Sequence, residues 1–107
     1  MDGLGKETET KTHKGGGKSS DIPFAPELLP AEALLKVSKI LAEGVPKYGR
    51  NNWKKIPSQI HLRHALTHIF ALMADDEQDD HLGHAACRLL MALEVYDPNY
   101  RYTGEDK

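Results

Sequence analysis

Residues 61–88 read HLRHALTHIFALMADDEQDDHLGHAACR, a stretch holding five of the chain's six histidines and four aspartates around one helix-to-helix connection. At about 100° per residue, a helix over 59–74 sets His61, His64, His68 and Asp75 on one stripe. The same helix puts Ile60, Ala65, Leu66, Ile69, Phe70 and Met73 on a neighbouring arc expected to face the core. The histidines then stand at the edge of the buried face. A further helix is expected over 80–96, capped by Asp79 or Asp80. It sets Asp80 and His84 one turn apart, with Cys87, Arg88 and Met91 continuing that side. A short acidic turn makes the two helices an antiparallel pair, so carboxylates and imidazoles face each other across a cleft.

A single histidine beside an apolar stripe is more often a hydrogen-bonded boundary group than a ligand, and an acidic run is more often a solvated loop. Two spaced sets on consecutive helices shift the balance toward a metal-dependent site.

Working toward the amino terminus, Val45 to Pro57 is too rich in Pro, Gly and Asn for a helix and holds the single tryptophan, Trp53. One reading has Tyr48 and Trp53 plug the end of a bundle while Asn51 and Asn52 make turns. The other has aromatic faces stack on a base while Lys47 and Arg50 reach polyphosphate. Before it, Ala31 to Glu43 reads as an amphipathic helix, with Pro30 near its start and Gly44 past its end. Its inward stripe is expected to be Leu34, Val37 and Leu41, beside Leu35 and Ile40. The prolines at 23, 26 and 30 make the preceding stretch extended, a strap carrying Phe24, Leu28 and Leu29.

These elements define an all-α chain, a small antiparallel bundle of about three main helices with an extended N-terminal strap. Residues 1–20 have almost no apolar content and read as a flexible tail, 21–98 as the helical domain, and 99–107 as a polar C-terminal tail. A domain of that size is marginal alone, so a homo-oligomer is expected. The net charge of −2 gives no concentrated basic surface for nucleic acid. The one cysteine cannot form an internal disulfide, which points to a reducing compartment. No apolar run reaches the roughly 20 residues that span a bilayer. A cytoplasmic protein, with no membrane and no nucleic-acid partner, is therefore expected.

The order Leu28-Leu29-Pro30, Gly44, Lys47-Tyr48-Gly49, Asn52-Trp53, Arg63-His64, an acidic turn and His81-Leu82-Gly83-His84-Ala85-Ala86 resembles the phage and bacterial dATP/dGTP diphosphohydrolase family. The resemblance covers about residues 18 to 96. It implies kinship with MazG-like all-α nucleoside triphosphate pyrophosphohydrolases, and hydrolysis of purine deoxynucleoside triphosphates to monophosphate and pyrophosphate. A divalent metal, Mg²⁺ first and Mn²⁺ or Co²⁺ next, and the host cytoplasm for a phage-encoded chain are implied with it. Where the family carries Gly-Glu-x-x-Asp, this chain has Asp75, Asp76 and Asp79, and it lacks the Glu-Glu-x-x-Glu string of the MazG-like enzymes.

Mg²⁺ prefers oxygen ligands, so Asp76, Asp79 and Asp80 are the expected metal residues. His64, His68, Asp80 and His84 are the catalytic candidates, as further ligands, proton carriers or phosphate contacts. Lys47, Arg63 and Arg88 are expected to clamp phosphate, and Tyr48, Asn52 and Trp53 to meet base and sugar. Two alternatives stand beside this: a histidine-metal phosphohydrolase of the HD type, and a non-catalytic helical interaction module of a phage that binds through the Tyr48 to Trp53 surface.

Overall fold

The computed structural model describes residues 10–101. The chain divides at Pro30 into two units. In the first, β1 (Thr10–Thr12) and β2 (Lys18–Ser20) pair antiparallel, with Thr10 opposite Ser20 and Thr12 opposite Lys18. Gly16, at φ 90°, turns the connection in the left-handed region that glycine adopts without a Cβ clash. Backbone bonds from His13 to Gly17 and from Gly16 to His13 close it. The flexible tail expected over 1–20 is thus a hairpin in its described part, and residues 1–9 lie outside the described residues. The strap is extended apart from one 3-10 turn, Pro26–Leu28, and Phe24, Leu28 and Leu29 are exposed.

The second unit is built from α1 (Ala31–Tyr48), α2 (Ser58–Met73) and α3 (His81–Val95), with a 3-10 turn at Asn52–Lys55 between the first two. α3 lies between its neighbours in the packing order, with α2, α1 and the 3-10 turn all against it. The run of α2 is antiparallel to α3: His68 meets His81 near the connection, and His61 meets Arg88 farther along both helices. Residues 102–107 of the expected polar tail lie outside the described residues. No helix among the described residues is long and apolar enough to cross a membrane.

One helix boundary differs from the sequence reading. α1 does not stop at Gly44 but continues through Gly44 and Pro46 to Tyr48. Pro46 sits in the last turn, where its missing N–H removes only one bond. The stop is Gly49, at φ 89°, whose N–H returns to the Val45 carbonyl at 2.8 Å. α3 starts as expected: the Asp80 side chain accepts from the Gly83 N–H at 3.0 Å.

α2 ends in a Schellman motif, with Asp76 N–H bonded to the Ala71 carbonyl and Asp75 N–H to that of Leu72. Asp75 therefore takes the left-handed position, at φ 60°, that glycine usually fills.

The core is small. Val37, Ile60, Ala65, Ala85, Cys87 and Ala92 are buried. Ala65 and Ala85 let α2 and α3 approach closely. Gly83 does the same for α1, since a Cβ there would lie 2.8 Å from Ile40 Cδ1 and closer still to the Asp80 carboxylate. Much of the expected inward face is open: Leu66, Phe70 and Met73 are 50%, 59% and 73% exposed, and Leu34, Leu35 and Leu41 are exposed too. The apolar arc of α2 is wider than the strip that one antiparallel neighbour covers, so its far edge remains outside.

Candidate functional site

The three helices and the 45–57 connection enclose a cleft of about 540 Å³, within the range of small-molecule sites. α1 and the connection contribute Lys47, Tyr48, Arg50, Asn52 and Trp53; α2 contributes His64 and His68; Asp79, His84 and Arg88 complete it. Ile40, Ile56, Ile60 and Met91 form its apolar walls. The sequence candidates Lys47, Tyr48, Asn52, Trp53, His64, His68, Asp79, His84 and Arg88 are thus brought together. Arg63, Asp76 and Asp80 are not among the lining residues.

His61 organises the deep side. It is fully buried, with its Nε2 2.9 Å from the Trp53 carbonyl and its Nδ1 3.1 Å from Arg88 Nη1. A carbonyl only accepts and a guanidinium only donates. The imidazole is therefore the neutral tautomer with its proton on Nε2. Burial holds its pKa below the ordinary 6.5, against the pull of the Trp53 hydrogen bond and with the help of the Arg88 charge. The contact ties the tryptophan loop, α2 and α3 together. Lys47 and Lys54 lie over the rings of Tyr48 and Trp53, at 5.0 and 5.6 Å from the centroids.

The other histidines gather where α2 meets the start of α3. The Nδ1 atoms of His68 and His81 are 2.9 Å apart, and His81 Nε2 donates to Asp76 Oδ2 at 2.5 Å. The His84 ring stacks on that of His68 with centroids 5.2 Å apart, and its Nε2 is 3.5 Å from Asp79 Oδ1. Burial, followed by the charges of His84 and His81, pushes the His68 pKa down, and Asp79 opposes them. His64 is lowered as well, first by burial and then by Arg88. Imidazoles kept neutral offer a lone pair to a metal or a proton.

The three aspartates expected to hold a metal do not converge. Asp80 caps α3 and Asp76 is bonded to His81. Among the described residues, the potential ligand atoms that come within 4.8 Å of one another belong to His68, Asp79 and His81. His81 was absent from the sequence candidates, as was His61. The signal for His81 was its place five residues after Asp76 across a helix start, a spacing no helical period reveals. Glu43, on the cleft wall, was also missed. Cys87 is buried, and burial raises its thiol pKa, in keeping with packing rather than chemistry.

The sequence family described as dATP/dGTP diphosphohydrolase, N-terminal, matches residues 13–104. The chain belongs to this family. Of the strings that carried the resemblance, Gly44, Lys47-Tyr48-Gly49, Asn52-Trp53, His64 and His84 line the cleft of this dATP/dGTP diphosphohydrolase family member. No curated protein and no solved structure matches the chain.

Proposed function

We propose that this cleft hydrolyses purine deoxynucleoside triphosphates, dATP or dGTP, to the monophosphate and pyrophosphate. The observation that carries the reading is that one cleft brings the aromatic and cationic groups of Tyr48, Trp53, Lys47, Arg50 and Arg88 together with histidines and the Asp79 carboxylate, in a chain of this family. Tyr48 and Trp53 offer faces to a base, and Asn52 offers an amide to base or sugar. Lys47, Arg50 and Arg88 are placed to offset the triphosphate charge. Arg63, off the cleft lining, would act on phosphate only from its rim.

A divalent metal at the histidine end would neutralise phosphoryl oxygens and lower the pKa of water. The chain's own residues do the rest. Water adds to a phosphorus of the α–β anhydride, that P–O bond breaks, and the water proton passes to a neutral imidazole, for which His64 and His84 are placed. Asp79 orients His84 and balances positive charge that accumulates there. Asp80 serves the site through the α3 cap that sets His81 and His84 in place.

We read the chain as a homo-oligomer. The stripe Leu62, Leu66, Phe70 and Met73 on α2 and the stripe Leu82, Leu89 and Leu93 on α3 are exposed, and an apolar furrow of about 240 Å³ lined by Leu62, Leu89 and Leu93 joins them at one end.

Incubation of the purified chain with deoxy- and ribonucleoside triphosphates and Mg²⁺, Mn²⁺ or Co²⁺, with products resolved by ion-exchange chromatography, tests the reading. Purine deoxynucleoside monophosphate with pyrophosphate supports it. Free nucleoside with triphosphate would replace it with the HD-type reaction, and absence of turnover by folded protein would favour the interaction module.

A further inference from the structure

The geometry points to a metal centre formed by His68, Asp79 and His81, built for a transition metal rather than Mg²⁺, with Asp76 as the residue that positions His81. One nitrogen of each histidine and one oxygen of Asp79 lie within 4.8 Å of one another. The two Nδ1 atoms are 2.9 Å apart. Two imidazole nitrogens that bind one cation at about 2.1 Å and at about a right angle are separated by roughly 3 Å, so the ring positions already suit a shared ion, and the one change needed is that the His68 proton, which bridges the pair, moves to Nε2. The three residues come from three separate places: the carboxy-terminal half of α2, the acidic turn and the first residue of α3.

His81 carries the mark of a ligand. Its Nε2 is engaged by the Asp76 carboxylate, which holds the ring's proton on that side and leaves the Nδ1 lone pair toward His68. Imidazoles that ligate metals characteristically donate their other N–H to a carboxylate or carbonyl, which fixes the tautomer and the ring plane. The His81 side chain is only 10% exposed. His84, stacked on His68 and 3.5 Å from Asp79, holds those two from the other side.

The donor set decides the metal class. Mg²⁺ takes oxygen ligands and keeps several waters, whereas two imidazoles with one carboxylate suit Mn²⁺, Fe²⁺, Co²⁺, Ni²⁺ or Zn²⁺. His68 and Asp79 also line the cleft, so an ion held here borders the space a substrate occupies. The centre's role in turnover rests on the pyrophosphohydrolase reading; its affinity for the metal does not.

The test uses chelator-treated full-length protein titrated with Co²⁺ and followed by visible d–d absorption, then challenged with a large excess of Mg²⁺. One Co²⁺ per chain, with bands that survive the Mg²⁺ challenge, is expected. The bands should disappear in His68→Ala and His81→Ala, while Asp76→Asn should weaken binding by about 10- to 100-fold, with circular dichroism confirming the helices. Absence of Co²⁺ binding, full displacement by Mg²⁺, or unchanged binding in folded His68→Ala and His81→Ala protein would each overturn the assignment. The wild-type challenge decides the metal class even where a variant fails to fold. Pyrophosphate release with Mg²⁺ by protein that does not bind Co²⁺ would remove the centre and keep the reaction; Co²⁺ binding without turnover would do the reverse.

Discussion

Arg88 on α3 donates from Nη1 to Nδ1 of the fully buried His61 on α2, at 3.1 Å, and thereby fixes which nitrogen of that histidine carries the proton. The remaining N–H reaches the Trp53 carbonyl at 2.9 Å, so a tautomer set on one wall of the cleft holds the aromatic loop on the other.

His61 makes stability depend on pH. Its folded pKa lies below the ordinary 6.5, so across the interval between the two values the unfolded chain binds more protons. The contribution is complete above pH 6.5 and is lost as pH falls from there through the folded value. His64 and His68, lowered too, act in the same direction. Urea denaturation between pH 8 and pH 5 (~3 units, spanning the imidazole range) should show falling stability. His61→Ala should cost about 2–4 kcal/mol at neutral pH and flatten part of the slope. A variant as stable as wild type would contradict the assigned hydrogen bonds.

Asp75 closes α2 in the left-handed region at φ 60°. Glycine stands at this place in the family pattern that the sequence resembles, and Asp75→Gly should stay within about 1 kcal/mol of the wild type, relief of strain offsetting the extra freedom of the unfolded chain. Asp75→Val should lose about 1–2 kcal/mol or more. Thermal melts of the two variants decide it, and equal melting temperatures would mean that α2 ends differently.

Gly83 is squeezed between the Asp80 carboxylate that caps α3 and Ile40 of α1. Alanine there gains up to about 1 kcal/mol of helix propensity but displaces the cap and the α1 contact, at about 1–3 kcal/mol. Gly83→Ala should therefore be less stable in chemical denaturation, and a more stable variant would show that α1 does not pack as closely as described.

The exposed stripes of α2 and α3 should hold a second copy of the chain. Sedimentation should show an oligomer for the wild type, and Leu66→Glu with Leu93→Glu should shift it to monomer while leaving the helical signal. A monomeric wild type would remove the homo-oligomer from the account.

The helical reading came from residues whose pattern is periodic. Ile60, Ala65 and the histidine stripe mark α2, Asp80 marks the start of α3, and the acidic run marks the turn between them. The end of α1 was hidden, because Gly44 and Pro46 argue locally against a helix, while the position that turns the chain is Gly49. The hairpin was hidden by its composition, since TKT and KSS bury nothing that periodicity could register. In the cleft, His64, His68 and His84 follow from helical spacing, and Asp79 from the family pattern that the chain resembles. His61 was not assigned its role, because that depends on a carbonyl eight residues earlier and a guanidinium twenty-seven later. Which carboxylates of the acidic run stand near the histidines is decided by the turn and not by a helical period, so the grouping of Asp79 with His68 and His81 has no counterpart in the sequence pattern.

The most direct measurement is pyrophosphate release from dGTP and dATP by wild type and Asp79→Asn in parallel, with Mn²⁺ supplied and circular dichroism on both. Monophosphate and pyrophosphate are expected from the wild type, with a loss of about 100-fold or more in the variant, the scale on which removing one pre-organised electrostatic group acts. Full turnover by Asp79→Asn, or no pyrophosphate from the folded wild type, would contradict the proposed reaction.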